Sequence, residues 1–135
     1  MADYFDTSAL AKLVLVEDAT EALRAWIAER GDVPAVTCDL TRTELMRAVR
    51  RVDTDLLTRA REVLDGLTIV EVPTALFIAA GRLEPVTMRS LDAIHLAAAL
   101  DLGDDLEVVV AYDERLVAAA RSHGIDVAHP GLAAI

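Results

Sequence analysis

The sequence predicts an α/β fold in which helices cover both faces of a central, mostly parallel sheet. Short apolar segments typical of strands alternate with helical segments along the chain, an order that favours parallel strands joined by helices. No low-complexity linker or internal repeat divides the chain. Its length of 135 residues suits one hydrophobic core, so we predict a single domain over residues 1–135.

The first half of the chain is predicted to hold two strands and three helices. The middle helix is amphipathic, with its apolar residues on one side, and Gly31 ends it. The strands are Ala2 to Phe5 and Pro34 to Cys38, and the helices are Thr7 to Val16, Asp18 to Arg30 and about Leu40 to Val52.

The second half continues the same alternation. Glycines end three of its helices, at Gly66, Gly103 and Gly124, and Pro73 opens another because proline is tolerated in a first turn. The helices are Thr54 to Leu64, Thr74 to Leu83, Ser90 to Leu102 and Glu114 to Ser122. The strands are Thr68 to Val72, Leu106 to Ala111, which is the most apolar, and Ile125 to Ala128.

The composition narrows the class of protein. Hydrophobic residues make up 54% of the chain and aromatic residues only 4%, so Ala, Leu, Val and Ile must build the core. The single cysteine, Cys38, can form no internal disulfide and suits a reducing compartment. We expect no signal peptide, and no apolar run approaches the roughly 20 residues that a membrane helix needs. The prediction is a cytoplasmic protein.

Four carboxylates stand in short, distinctive segments at or near predicted helix starts. They are Asp6, Glu44, Asp92 and Asp113. Asp6 and Asp113 directly follow the first strand and the most apolar strand, and ligands of open parallel sheets lie beyond the carboxyl ends of the strands. Carboxylates gathered at one edge would raise each other's pKa, so a divalent metal ion would be needed to keep them ionised.

Each acid also has a structural interpretation, which the residues alone leave open. Asp6 and Asp113 could cap the helices that follow them. Glu44 could form a surface ion pair with Arg47 at i+3. Asp92 could interact favourably with the dipole of its helix.

Asp92 is the acid with the most apolar surroundings, since it lies among Leu91, Ala93 and Ile94. A carboxylate in such company needs a partner, and a metal ion is one candidate. His95 lies one helical turn further on. We predict that it is a packed or supporting residue, because no further Cys or His pair completes a zinc site with it.

Taken in order, these segments resemble PIN-domain ribonucleases and, more narrowly, the VapC-type toxins of bacterial VapBC toxin–antitoxin pairs. The resemblance runs from about Tyr4 to Ile125. The Asp-Thr-Ser opening and the Leu-Asp-Ala-Ile-His segment are specific when they occur together. The matching segments are Phe5-Asp6-Thr7-Ser8-Ala9-Leu10, Thr41 to Glu44, Leu91-Asp92-Ala93-Ile94-His95-Leu96-Ala97-Ala98-Ala99 and Tyr112-Asp113-Glu114-Arg115-Leu116.

The resemblance implies a three-layer α/β/α sandwich, a homodimer and neutralisation by a cognate antitoxin. It also implies cleavage of structured RNA, either transfer or ribosomal RNA, by a water that a metal ion activates. The implied site holds Mg²⁺ or Mn²⁺ on Asp6, Glu44, Asp92 and Asp113, with Ser8 supporting the ligands. Glu44 would ligate a second ion or take the proton from the attacking water.

One position departs from the family pattern. Many relatives carry Ser or Thr two residues before the last acid, where this chain has Ala111. A supporting hydroxyl is therefore missing beside Asp113, which puts the exact role of that acid in doubt.

The charge distribution adds a hypothesis about the substrate. A net charge of −10 argues against a protein that coats nucleic acid, although bound metal ions would let a nuclease work despite it. The segment Arg42 to Arg61 is locally basic and is the candidate track for an RNA backbone. The alternative is a solvated helix face with local ion pairs. The arginines proposed for RNA binding are Arg42, Arg47, Arg50 and Arg51.

Other interpretations are weaker or remain open. A receiver or a haloacid-dehalogenase-type phosphatase would need a lysine late in the chain, and the sole lysine is Lys12. A PIN-like domain that only binds a partner is disfavoured by the intact acids, whereas Ala111 leaves it open. Trp26 either packs in the core or contributes to an apolar groove that takes the amphipathic helix of an antitoxin.

Overall fold

A five-stranded parallel sheet forms the centre of the computed structural model, which describes residues 1–132. The strands are β1 (Ala2–Phe5), β2 (Ala35–Cys38), β3 (Thr68–Val70), β4 (Leu106–Val110) and β5 (Val127–Ala128). Their order across the sheet is β3-β2-β1-β4-β5, and every neighbouring pair is parallel. The first strand of the chain is therefore the central one.

Seven α-helices within residues 1–132 connect these strands. They are α1 (Thr7–Ala11), α2 (Thr20–Arg30), α3 (Leu40–Val52), α4 (Leu57–Asp65), α5 (Thr74–Ala80), α6 (Ser90–Asp101) and α7 (Glu114–Ser122). None of the helices in this part of the chain is long and apolar enough to cross a membrane.

The sheet separates two hydrophobic clusters. Successive side chains of a strand point to opposite faces, so neighbouring residues of β1 enter different clusters. Tyr4 packs with residues of α5, α6 and α7, whereas Phe5 packs with residues of α1 to α4. The predicted α/β/α sandwich is therefore confirmed.

The largest difference from the predicted elements concerns the first helix. It was expected to reach Val16 but ends at Ala11. Thr20 donates from its hydroxyl to the carbonyl of Lys12 at 2.8 Å, and this carbonyl is thereby held outside a continuing helix. The chain turns at this point and brings α2 back against the sheet.

The other boundaries differ by at most three residues, apart from a change of helix type before α4. Residues Thr54–Leu56 form a turn of 3₁₀-helix rather than the start of an α-helix. The carboxylate of Asp53 accepts from the backbone N–H of Asp55 at 2.9 Å and fixes this turn.

Candidate active site

The predicted acids lie around the carboxyl edge of the central strands. Asp6 directly follows β1, and Asp113 caps α7, which follows β4. Glu44 is on α3, the helix that follows β2, and Asp92 is in the first turn of α6. Arg89 joins Asp92 to Asp113, and a separate network of hydrogen bonds holds Glu44 to Thr7 and His95.

Asp6 is buried, with 4% of its surface exposed, and only one of its carboxylate oxygens accepts hydrogen bonds from the described residues. Its Oδ1 accepts from the hydroxyl of Ser8 at 2.6 Å and from the N–H of Ala9 at 3.1 Å. No hydrogen bond from the described residues reaches Oδ2. The capping interpretation is thus correct for Oδ1, and it leaves the second oxygen available to a ligand.

Burial raises the pKa of Asp6 to about 6, and the nearby Asp92 adds to the rise. The hydrogen bonds from Ser8 and Ala9 and the charge of His95 act in the opposite direction. The hydroxyl of Ser8 also accepts from the backbone N–H of Tyr112 at 2.9 Å. Ser8 therefore joins the end of β1 to the segment that leads into Asp113.

Two buried threonines hold α3 against the end of β1. Thr37 donates to the carbonyl of Phe5 at 2.8 Å, and Thr41 lies 2.7 Å from the hydroxyl of Thr37. This contact fixes the first turn of α3, the helix from which Glu44 reaches Thr7, the residue after Asp6. Both threonines are fully buried, so their hydroxyls must find hydrogen-bond partners inside the protein.

The structural interpretation of the sequence paired Glu44 with Arg47, but Glu44 pairs with His95 instead. Its Oε1 accepts from Thr7 at 2.7 Å and from Nε2 of His95 at 2.5 Å. Burial by itself would raise the pKa of Glu44, but the hydrogen bonds and charge of His95, with the bond from Thr7, lower it. Glu44 is therefore held as a carboxylate facing the site.

His95 is the supporting residue that the sequence indicated only by its position one turn after Asp92. It is 3% exposed, and its Nδ1 lies 2.8 Å from the hydroxyl of Tyr4 on the central strand. Burial alone would lower its pKa, but the interactions with Cys38 and Glu44 raise the pKa to about 10. The imidazolium thus pairs with Glu44 and ties α6 to α3 across the end of β1.

Asp92 and Asp113 share a cation that the sequence analysis did not identify. Nε of Arg89 lies 3.1 Å from Oδ2 of Asp92, and its Nη2 lies 3.0 Å from Oδ2 of Asp113. Oδ1 of Asp113 accepts from the N–H groups of Arg115 and Leu116, which is the predicted capping role. The two carboxylates raise the pKa of Arg89 above its ordinary value, through the bond to Asp92 first.

Among the described residues, no three or more His, Cys, Asp or Glu side chains are arranged as they stand to hold a metal ion. The donor chemistry nevertheless suits Mg²⁺ or Mn²⁺, which prefer carboxylate oxygens. Asp6 and Asp113 each anchor Oδ1 on backbone N–H groups, and Oδ2 of Asp113 and Asp92 is held by a positive charge. Two of the acids, Asp92 and Asp113, already hold a cation, which is the guanidinium of Arg89.

The arginines proposed for RNA binding divide into two groups. Arg42 pairs with Asp39 at 3.1 Å, as a solvated helix face would. Arg47, Arg50 and Arg51 line one surface depression on α3, and no carboxylate of the described residues lies within salt-bridge distance of them. Their role in binding RNA remains a prediction.

Two further sequence positions can be located. Trp26 is half-buried, packs edge-on against Phe5 with ring centroids 6.3 Å apart, and lies beneath the guanidinium of Arg30. It therefore contributes to the core, and its role in binding an antitoxin remains a prediction. Ala111 is fully buried in the cluster with α6 and α7, so its methyl group fills the core beside the site.

Known proteins resemble this chain over nearly its whole length. Residues 4–126 match the family model described as PIN domain. The chain is 45% identical over 131 residues to Ribonuclease VapC47 of Mycobacterium tuberculosis, covering 95% of this chain and 96% of the relative. It is 38% identical over 132 residues to Ribonuclease VapC35 of the same species, covering 96% and 98%.

Solved structures share the fold at lower identity. VapC20 of Mycobacterium tuberculosis, described as a sarcin–ricin loop cleaving toxin, superposes with a TM-score of 0.74 at 18% identity, covering 87% of this chain and 95% of that one. A toxin–antitoxin complex from Klebsiella pneumoniae gives 0.71 at 19% identity, covering 96% and 98%. The chain therefore belongs to the PIN domain family and, within it, to the VapC ribonucleases.

Proposed function

We propose that this protein is a divalent-metal-dependent endoribonuclease that acts as the toxin of a toxin–antitoxin pair. The observation that carries the proposal is the arrangement of Asp6, Asp92 and Asp113 at one edge of the sheet. Asp6 and Asp113 each have Oδ1 fixed by backbone N–H groups. Oδ2 of Asp113 faces a positive charge, and Oδ2 of Asp6 accepts no bond from residues 1–132. The 45% identity to a ribonuclease supports the same conclusion.

The residues suit Mg²⁺ or Mn²⁺, with Asp6, Asp92 and Asp113 as the ligands. A bound ion would lower the pKa of a coordinated water and stabilise charge on the phosphoryl oxygens. Ser8 would hold Asp6 in the orientation that presents Oδ2, because its hydroxyl donates to Oδ1.

Glu44 has two possible roles that follow from its contacts. Its Oε1 is taken by Thr7 and His95, which leaves Oε2 to ligate a second ion or to accept the proton of the attacking water. The pairing with His95 keeps Glu44 ionised in either role, since it favours the charged form.

RNA would reach this site along the arginines of α3 that pair with no carboxylate among residues 1–132. Arg47 and Arg51 lie three and seven residues after Glu44, on the same side of the helix. In a chain with a net charge of −10, such an arginine cluster is a favourable place for a phosphate backbone. Arg50 completes this cluster, whereas Arg42 pairs with Asp39.

The arginine cluster can be tested by charge reversal. The double change Arg47→Glu and Arg51→Glu should weaken RNA binding and lower the salt dependence of binding by about two phosphate contacts. Arg24→Glu is the matched control, since Arg24 is exposed and pairs with Glu21 on α2. Equal RNA affinity in the double variant and the control would remove the cluster from the proposed track.

The substrate class and the partner extend the proposal. We propose structured RNA, either transfer or ribosomal, as the substrate, and a cognate VapB-type antitoxin and a second copy of the chain as partners. A structural neighbour is described as a toxin that cleaves the sarcin–ricin loop, and two others are toxin–antitoxin assemblies, which supports these choices by shared fold.

One observation favours a second candidate, a PIN-like domain that binds a partner without cleaving RNA. Three of the four acids already contact a cation within the chain, since Glu44 pairs with His95 and the pair Asp92 and Asp113 shares Arg89. Under this alternative the purified protein would bind no divalent ion at millimolar concentration.

The deciding experiment is incubation of total bacterial RNA with the purified protein and Mg²⁺ or Mn²⁺. Discrete fragments that vanish with EDTA and in the Asp6→Ala variant would support the endonuclease. Absence of cleavage with either ion would favour the partner-binding domain, and cleavage that survives Asp6→Ala would mean that the site is elsewhere.

A further inference from the structure

Arg89 occupies an unusual position among the ion pairs of the protein. It precedes the first residue of α6, and its side chain is 59% exposed, yet it uses two different nitrogens on two different carboxylates. Asp92 is three residues away, whereas Asp113 is 24 residues away on another helix. One exposed side chain thus joins the N-termini of α6 and α7.

The other exposed arginine pairs provide a contrast. Arg24 with Glu21, Arg42 with Asp39 and Arg59 with Glu62 are all pairs at a spacing of three residues. Such local pairs stabilise a protein little, because water screens them and the side chains lose freedom. Arg89 forms the same local pair and adds a carboxylate brought in by the tertiary fold.

The carboxylates explain why a cation is needed at this point. Asp92 and Asp113 share one guanidinium, and the negative charge of Asp92 contributes to the raised pKa of Asp6. Without a positive charge among them, these acids would repel each other. A divalent ion would supply more charge at the same place, and it would need the oxygens that Arg89 now holds.

We propose that Arg89 is a placeholder cation, which holds Asp92 and Asp113 in the metal-free protein, yields them to the divalent ion and then binds a phosphate of the RNA. This inference rests on the proposed function. The guanidinium has no carboxylate contact other than these two among residues 1–132, so its release would leave it free for the substrate.

The chemistry of the side chain suits both states. A guanidinium presents several N–H groups in one plane and can bind two carboxylate oxygens or two phosphate oxygens without changing its charge. The long exposed stem lets the group turn outwards while the backbone stays in place. Arg89 would thereby contribute positive charge beside the acidic site, where this acidic protein must bind the phosphates of RNA.

The first test measures metal binding without RNA. Titration calorimetry with Mn²⁺ should show about threefold to tenfold tighter binding to Arg89→Gln than to the unchanged protein, because a competing cation has been removed. Arg24→Gln is the matched control, since it removes a similar exposed pair far from the acids. If Arg89 only organises the acids for the ion, Arg89→Gln will bind Mn²⁺ more weakly, and that result or an equal affinity would overturn the proposal.

The second test follows RNA at saturating metal. Arg89→Gln should raise the KM for RNA by about tenfold with a smaller change in kcat, and the salt dependence of binding should fall by about one phosphate contact. Arg89→Lys should restore part of the RNA affinity, since it keeps the charge but loses the fork. An unchanged KM in Arg89→Gln would contradict the second half of the proposal.

A measurement on the unchanged protein keeps the proposal testable if the variants fold poorly. In a titration of the metal-free protein with diamagnetic Mg²⁺, the Nε–H resonance of Arg89 should shift as the ion binds, because the bond to Asp92 is lost. A resonance unaffected by a saturating ion would refute the exchange. If the unchanged protein binds no ion at all, the proposed function itself fails rather than the role of Arg89.

Discussion

Two aspartates near the start of the chain show how one strand serves both stability and the site. Asp3 and Asp6 are three residues apart, and both are buried, with 2% and 4% of their surface exposed. Asp3 receives both Nε and Nη2 of Arg30, each at 2.8 Å. Within residues 1–132, Asp6 receives only a hydroxyl and one backbone N–H, and burial raises its pKa to about 6.

The difference lies in where the compensating charge comes from. A buried carboxylate needs a cation or several hydrogen bonds, and Asp3 finds its cation within the chain. Asp6 is left partly unsatisfied at the carboxyl edge of the sheet, where ligands of parallel sheets bind. A perturbed acid at such an edge is the pattern of a functional site, whereas a matched ion pair is the pattern of a structural one.

Replacing Asp6 should affect RNA cleavage far more than replacing Asp3, and this is the largest difference expected between the two aspartates. Asp6→Asn should lower RNA cleavage on the order of a thousandfold, more than the roughly tenfold to hundredfold that loss of an outer hydrogen-bond partner costs. Asp3→Asn, assayed below its melting temperature, should retain cleavage within about tenfold. Rates on the same RNA at saturating Mg²⁺ measure both, and comparable losses in the two variants would contradict the division of roles.

Stability should respond in the opposite order. Asp3→Asn leaves Arg30 without a full counter-charge at a site where only 27% of its side chain is exposed, so the free energy of unfolding should fall by about 3 kcal/mol. Denaturant unfolding of the metal-free protein measures this change. Arg24→Gln, which removes an exposed pair, should change stability by less than about 1 kcal/mol.

Asp6→Asn should make the metal-free protein more stable. The pKa of Asp6 rises from 3.8 to about 6, so the folded state binds the proton more tightly and loses stability as pH rises through this interval. The difference of about 2 pKa units sets an upper limit of about 3 kcal/mol, and we expect about 2 kcal/mol at pH 7 because an amide accepts hydrogen bonds less well. The gain should shrink towards pH 4, and a gain independent of pH would rule out this cause.

The smallest effect concerns metal affinity and pH. Metal binding requires Asp6 to be ionised, so the affinity for Mn²⁺ should fall by about tenfold for each pH unit below about 6 and level off above it. Calorimetric titrations between pH 5 and pH 8 would follow this curve. Affinity that stays constant down to pH 5 would mean that Asp6 is ionised by other means.

The sequence predicted the fold through local patterns. Short apolar strands, glycine helix ends and the positions of Asp6 and Asp113 after β1 and β4 all follow from neighbouring residues. The helix that was expected to reach Val16 shows the limit, since the hydroxyl of Thr20 ends it from a position further along the chain.

The site was harder to predict because its contacts join distant segments. The partner of Glu44 is His95, 51 residues away, and not the nearby Arg47. The spacing of Arg89 and Asp92 suggests an ion pair, but nothing in the sequence indicates that Asp113 joins it. Which side chain compensates a buried charge depends on tertiary packing, and periodicity carries no information about that.

The central position of β1 bears on how the protein is made. The strand pairs with β2 and β4, and Ser8 accepts a hydrogen bond from Tyr112, 104 residues later. A ribosome must therefore synthesise most of the chain before the first strand gains its second neighbour and the last acid joins the first. Nascent chains released before residue 92 would carry Asp6 and Glu44 without the other two acids, and those released before residue 113 would still lack Asp113. A gene product truncated there would leave cellular RNA intact.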